Sequence, residues 1–163
     1  MITNLTKYAD FECAERFLTE KGRRQLKDAA VHEFGDPWQL TVGDFVGLCE
    51  GDFSRLGDMA EPTVLQVYWC NVFKDFCDEL EKALTALKIP QDAQEVTAAE
   101  SMRKVSMAEG MVVFARSYFG LHSFADAERV TMLDYVIAKR DAYNNAIFSR
   151  RLAELRAKKY RKK

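Results

Sequence analysis

The segment from Ser123 to Tyr160 constrains the fold more than any other part of the chain, because it contains neither proline nor glycine. It begins with a serine and acidic residues, which cap the first amides and favour the positive end of a helix dipole. It ends in Lys and Arg residues, which favour the negative end. The segment therefore predicts one helix over 123–160, about 55 Å long. A compact domain of this size has a radius of gyration of about 15 Å, so we expect part of the helix to project.

Two other long helices are predicted before it. Over 62–88, apolar residues recur at helical spacing behind Pro62, a residue type favoured at the first helical position. Over 91–119, a helix with an acidic start ends at Gly120. Short connectors make such helices antiparallel neighbours. The predicted fold class is all-α: a bundle of three long antiparallel helices, with several short N-terminal helices packed on one side or end and the last helix partly projecting.

The charge is divided unevenly along the chain. Residues 150–163 contain eight Lys/Arg and one Glu, a net +7, which leaves −8 for residues 1–149 out of a total of −1. We therefore predict an acidic helical body over 1–149, with short helices in 1–60 and long helices in 61–149, followed by a basic helical tail. The predicted partner-binding residues are the tail cations Arg150, Arg151, Arg156, Lys158, Lys159, Arg161, Lys162 and Lys163.

The four cysteines, Cys13, Cys49, Cys70 and Cys77, form no CxxC motif and lie in apolar helical contexts. We interpret all four as reduced core residues. A zinc site built from Cys70, Cys77 and a histidine is the alternative, but a seven-residue spacing on an apolar face is more typical of core packing. The first residues lack the apolar stretch of a signal peptide, and no apolar run approaches the ~18 residues of a membrane span.

A Gly-Asp pair recurs at 35, 43, 51 and 57. One interpretation is a metal-binding repeat with oxygen ligands from the four aspartates. We favour turns and helix caps, with Thr41 capping a helix over 42–50, because calcium loops place their acids at alternate positions within about a dozen residues. The four aspartates are Asp36, Asp44, Asp52 and Asp58.

Catalytic motifs are missing from the sequence. The only histidines are His32 and His122, and neither follows a glutamate by three residues, which excludes the ligand pattern of a di-iron bundle. There is no nucleophile elbow, phosphate loop or dinucleotide fingerprint. A cluster of carboxylates on the 62–88 helix is interpreted as a solvated charged face. We predict no enzymatic activity, cofactor or metal. The cluster consists of Asp75, Asp78, Glu79 and Glu81.

Asn144 lies on the same broad face of the last helix as Ile137 and Phe148. A polar residue in an apolar face fixes register or oligomeric state in coiled coils. We favour the other interpretation, that the helix leaves the core here and the asparagine is solvated, because so long a helix cannot be buried throughout.

The basic tail has three interpretations. It binds phosphates, or it docks into an acidic groove of a partner or of another copy, with Leu152 and Leu155 on one side, or it is a solvated terminus. Tyr160 is its one aromatic residue, so base stacking is weak. A membrane-surface role requires a larger apolar face.

In architecture and charge layout, an acidic helical body ending in a long basic helix, the chain resembles small helical proteins of bacteriophage morphogenesis such as scaffolding proteins and tail-assembly chaperones. No diagnostic motif carries the resemblance. It implies that the tail contacts a structural partner and that the body self-associates. The predicted location is cytoplasmic, or the virion if the protein is of phage origin.

Our leading hypothesis is a non-enzymatic assembly or interaction protein, either a homo-oligomer or bound to a protein with an acidic surface. Charge complementarity between body and tail would set its register and on-rate. The second hypothesis is a nucleic-acid-associated protein that uses the tail for phosphate contacts. The third is a helical enzyme or ligand binder with a pocket near Trp38, Trp69 or the Met-rich face of 102–111.

Overall fold

The structure, a computed structural model, describes residues 6–89 and 105–161. These residues contain no β-strand, and two isolated antiparallel bridges join Lys7 to Thr63 and Thr41 to Thr131. The all-α prediction is therefore confirmed. Two 3₁₀ turns, at Pro37–Gln39 and Ser54–Leu56, lie between the helices. Within the described residues the α-helices are α1 (Tyr8–Glu15), α2 (Glu20–Phe34), α3 (Val42–Cys49), α4 (Val64–Ala86), α5 (Met107–Tyr118), α6 (Phe124–Glu128) and α7 (Met132–Arg161).

Capping boxes start α3 and α4. The amide of Asp44 donates to Thr41 Oγ1 at 3.1 Å, and the amide of Thr41 donates to Asp44 Oδ2 at 3.3 Å. Thr63 and Gln66 form the same reciprocal pair at the start of α4. Each box satisfies two amides that a helix start leaves free. The predicted cap at Thr41 is confirmed, whereas Pro62 precedes the cap of α4 instead of occupying its first turn.

Helix α4 is central, and its first half is enclosed by aromatic packing. The side chain of Trp69 is fully buried, and its ring stacks on Phe73 with 5.5 Å between centroids and 6° between planes. The indole Nε1–H donates to the carbonyl of Gly35 at 2.8 Å. Gly35 ends α2 with φ 91°, a conformation that only glycine adopts without strain. This bond therefore fixes the end of α2 against the middle of α4.

The bundle of three long helices is not confirmed. The main neighbour of α4 is α2, which runs along it, and the 3₁₀ turn at Pro37–Gln39 contacts both α4 and α7. Helix α5 packs chiefly on α6. Of the predicted helix over 91–119, the structure describes only the part from 105 onward, in which α5 spans 12 residues.

The prediction of one continuous helix over 123–160 is wrong. The chain forms α6, which ends at Glu128 with Arg129 as its C-cap, and starts α7 at Met132. At the break, the amide of Val42 donates to Val130 O at 2.8 Å and the amide of Met132 donates to Leu40 O at 2.7 Å. Thr131 then caps α7, because its Oγ1 accepts from the amide of Asp134 at 3.1 Å. Bonds to a distant segment replace intrahelical ones, although no proline or glycine breaks the helix.

Candidate interaction surface on the last helix

Helix α7 has an anchored section and a projecting section. Met132, Tyr135 and Ala138 are buried in the body, with 0%, 3% and 2% of their surface exposed. From Lys139 to Tyr160 no residue is buried. Since each helical residue adds 1.5 Å, the section without a buried residue is about 33 Å long. The helix thus leaves the core after its second turn.

Contacts with α5 support the start of the projecting section. The Lys139 ammonium lies 3.7 Å from the centroid of the Phe114 ring and 5.5 Å from that of Tyr135. A cation over a ring face is attracted by the ring quadrupole, while burial lowers the pKa of Lys139. Further along both helices, the Tyr118 hydroxyl of α5 donates a hydrogen bond to Asp141 Oδ2 of α7. Helix α5 therefore holds α7 as far as Asp141.

A line of exposed apolar side chains follows one face of α7. Leu133, Ile137, Phe148 and Leu155 are 40%, 57%, 67% and 65% exposed. Their spacings, with Asn144 between Ile137 and Phe148, are four, seven, four and seven residues, which keeps them within a narrow sector of the helix. Isolated exposed apolar residues are ordinary on protein surfaces, but four large ones aligned on one helix face, with Arg140, Asn144 and Arg151 between them, indicate an interaction surface. We call these four side chains and Asn144 the apolar face.

Asn144 is exposed, in agreement with the prediction that the helix has left the core at this point. The neighbouring Asn145 is also exposed, and its Nδ2 donates to Asp141 Oδ2 at 3.0 Å. Asn144 thus lies at the centre of the apolar face and is accessible to a partner.

The predicted partner-binding cations lie around the end of α7 and not on one side of it, because successive residues are rotated by about 100°. Arg150 is half-buried and makes contacts of its own. Arg161 is the last residue of α7, and Lys162 and Lys163 lie outside the described residues. The remaining predicted cations, all exposed on α7, are Arg151, Arg156, Lys158 and Lys159.

The cysteine prediction was wrong for two of the four residues. Cys13 and Cys49 are exposed, and Cys70 and Cys77 are half-buried against the core. All four are free, and the thiol of Cys77 lies near that of Cys49. Burial raises the pKa of Cys77 to about 11, so this thiol is not an activated nucleophile. No group of three or more potential metal ligands occurs within residues 6–89 and 105–161.

The four Gly-Asp aspartates cap turns, as the favoured interpretation predicted. Asp44 belongs to the capping box of α3. The side chains of the other three each accept from the amide two residues further on, at distances of 2.9–3.0 Å. These three are Asp36, Asp52 and Asp58, which accept from Trp38, Ser54 and Ala60.

A contact that the sequence did not predict joins α1 to α4. The carboxylate of Glu15 accepts from the Tyr8 hydroxyl at 2.5 Å and from the Tyr68 hydroxyl at 2.8 Å. The hydrogen bond to Glu15 raises the pKa of Tyr8 to about 12, and burial together with the same carboxylate raises the pKa of Tyr68 to about 12. Both tyrosines are therefore protonated donors at neutral pH, and Glu15 anchors α1 to the body.

Glu15 borders an open cleft of about 560 Å³ between α1, α2 and α4. Its lining contains four basic and four acidic side chains, among them the ion pair of Lys27 with Asp75 at 2.6 Å. A cleft with balanced charge has no preference for anions or cations. The other carboxylates of the predicted solvated cluster, Asp78, Glu79 and Glu81, are exposed like Asp75.

The predicted pocket near the tryptophans is filled by core side chains. Trp69 is enclosed completely, and Trp38 packs edge-to-face on Phe76 at 4.8 Å. On the Met-rich face, Met111 is buried and Met107 is 65% exposed, while 102–104 lie outside the described residues.

No family model, no curated protein and no solved structure matches this chain. Among the described residues, no helix combines the length and apolar character needed to cross a membrane.

Proposed function

We propose that the protein is a non-enzymatic assembly protein that oligomerises through the projecting section of α7. The observation that carries the proposal is the apolar face, since four large apolar side chains are exposed in one line on a helix that leaves the body. The charge division supports it, because a +7 tail and a −8 body attract one another between molecules. The resemblance in charge layout to phage morphogenesis proteins makes virion assembly the setting we favour.

The energetics require a partner with apolar surface of its own. Complete burial of a Leu, Ile or Phe side chain contributes about 1.5–3 kcal/mol. Because the four side chains are 40–67% exposed, burying one face contributes roughly 3–7 kcal/mol. Association costs about 4–15 kcal/mol in lost freedom. One face against a polar surface is therefore insufficient, whereas two faces against each other support a moderate affinity.

The test is light scattering coupled to size exclusion, at about 50 mM and about 500 mM salt, a range over which screening becomes short. We expect a defined oligomer, and we expect deletion of residues 150–163 to weaken it while helicity measured by circular dichroism falls only by the deleted residues. A full-length protein that is monomeric at both salt concentrations would contradict self-assembly. A truncated protein that assembles as well as the full chain would contradict the role of the tail.

The second candidate is non-specific binding of nucleic acid by the tail. It is favoured by Arg156, Lys158 and Lys159, which are exposed and form no ion pair within the part of the chain that the structure describes. Phosphate contacts by such cations give an affinity that falls steeply with salt. A filter-binding titration with DNA and RNA at low salt tests this, and the absence of binding would exclude it.

A further inference from the structure

We propose that the occupant of the apolar face is α7 of a second copy, paired antiparallel about a two-fold axis that passes beside Asn144. This inference rests on the proposed function and deepens it, because it names the partner and the register. The observations behind it are the spacing of the apolar face, its internal symmetry and the charges at its two ends.

The face is symmetric about Asn144. In an antiparallel pair centred there, a residue a given number of positions before Asn144 faces the residue the same number after it on the other copy. Leu133 lies eleven positions before and Leu155 eleven positions after, so the two leucines face each other at both ends of the pair. Both are exposed and available for this contact. At the centre, the two Asn144 amides face each other, where hydrogen bonding between them fixes the register.

Between the centre and the ends, each apolar residue faces an arginine with a long apolar stem. Phe148, four positions after the centre, faces Arg140, and Ile137, seven before it, faces Arg151. Both arginines are exposed in the single chain. A guanidinium is attracted to the face of an aromatic ring, and an arginine stem packs on an aliphatic side chain while its charge stays in water. The pairing therefore buries apolar surface without burying an unpaired charge.

The antiparallel direction also places each basic tail beside an acidic corner of the other copy. Beyond Leu155 the tail passes Leu133 of the partner copy and reaches the turn between α6 and α7. There Asp126, Glu128 and Asp134 are exposed, and the one ion pair they make within the described part of the chain joins Asp126 to Arg129 at 3.8 Å. Glu128 and Asp134 form no ion pair within residues 6–89 and 105–161.

A parallel pair in the same register is disfavoured by the same charges. In a parallel pair, Arg140 and Arg151 would each face the same residue of the other copy, and the two +7 tails would lie side by side. Like charges at such distances repel, and the acidic corner would remain without a cationic partner. Direction is therefore decided by charge, and register by the apolar spacing and Asn144.

Cysteine cross-linking tests the direction. In a background with Cys13→Ser and Cys49→Ser, which removes the exposed thiols, Leu133→Cys and Leu155→Cys are prepared as two separate proteins. A disulfide requires Cβ atoms about 3.5–4.5 Å apart. In the antiparallel pair, position 133 of one copy is about 33 Å from position 133 of the other, whereas it directly faces position 155. Oxidised glutathione supplies the oxidant.

We expect the mixture of the two variants to give at least about tenfold more covalent dimer than either variant alone. Asn144→Cys is the positive control, since it faces itself in either direction, and Ala153→Cys, exposed on the opposite side of α7, is the matched negative control. Efficient cross-linking of Leu133→Cys with itself would overturn the antiparallel direction. An oligomer that none of the α7 variants cross-links would overturn the pairing but not self-assembly, and a monomer in light scattering would overturn both.

A charge exchange tests the acidic corner independently. Glu128→Lys is expected to weaken the dimer by about tenfold at low salt, because each dimer contains two such contacts and exposed charge pairs are individually weak. Adding Lys159→Glu in the same chain, level with Arg129 and next to position 128 of the other copy, gives the new lysine a carboxylate across the interface and is expected to recover most of the loss. A double variant that is as weak as, or weaker than, Glu128→Lys would contradict the contact between tail and corner.

Discussion

Helices α4 and α7 use their apolar side chains in opposite ways. In the 23 residues of α4, eight are buried, and they run from Val64 to Leu80. In α7, the buried residues between Met132 and Tyr160 are confined to the first seven positions, up to Ala138. Both helices carry leucine and phenylalanine at helical spacing, so composition alone does not distinguish them. The difference is that other elements of the chain cover α4, whereas none of the elements that the structure describes covers the apolar face of α7.

The largest expected effect is the difference in stability between truncating a buried side chain of α4 and truncating an exposed one of α7. Trp69→Ala removes a fully enclosed ring and its hydrogen bond to Gly35, and we expect it to lower the free energy of unfolding by about 3–5 kcal/mol. Phe148→Ala, a matched truncation in α7, is expected to cost less than about 0.5 kcal/mol for the monomer. Urea denaturation at low protein concentration measures both. Equal losses would mean that Phe148 is packed within its own chain.

The next largest effect is on the dissociation constant of the dimer, which tests whether a partner covers the apolar face of α7. Phe148→Lys places a cation opposite Arg140 of the other copy at two points of the dimer, and we expect it to weaken the dimer about a hundredfold, since burial of the ring is lost twice and like charges repel. Ser149→Lys adds the same charge one residue further on, away from the face, and is expected to have little effect. Sedimentation equilibrium gives both dissociation constants. Similar weakening by both variants would indicate a net-charge effect and no specific face.

The smallest effect concerns the start of α7, where the chain passes from the core into the helix that projects from it. Thr131→Ala removes the hydroxyl that caps α7 and is expected to destabilise the protein by about 1 kcal/mol. Thr131→Ser keeps the hydroxyl and is the matched control, expected to retain most of the stability. Thermal unfolding followed by circular dichroism measures the difference. An unchanged midpoint for Thr131→Ala would show that the bridge to Thr41 alone fixes the start of α7.

Local patterns in the sequence predicted local features. Helical spacing gave the all-α class, Thr41 was identified as a cap, and the alternation rules for calcium loops favoured turns over a metal repeat. The role predicted for the tail cations stays a prediction; of those on α7, Arg151, Arg156, Lys158 and Lys159 are exposed and Arg150 is half-buried.

Contacts between distant segments were not predictable in this way. The break before α7 had a local signal, because Thr131 followed three residues later by Asp134 is a capping pattern, but its bonds to Val42 and Leu40 depend on tertiary packing. The hydrogen bonds from Tyr8 and Tyr68 to the Glu15 carboxylate join residues up to 53 positions apart. The symmetry of the apolar face became meaningful only when exposure showed which side of α7 is uncovered.

The bonds at the start of α7 also make this corner a mechanical pivot. The amide of Val42 donates to Val130 O at 2.8 Å, and the amide of Met132 donates to Leu40 O at 2.7 Å. The section of α7 beyond Ala138 acts as a lever about 33 Å long. A change of about 10° at the pivot therefore moves the tip of the lever by about 6 Å, roughly one turn of helix. These two backbone bonds, together with the contacts of α5 as far as Asp141, thus set the angle at which one body would be presented to another, and a substitution that loosens them would alter the shape of an assembly.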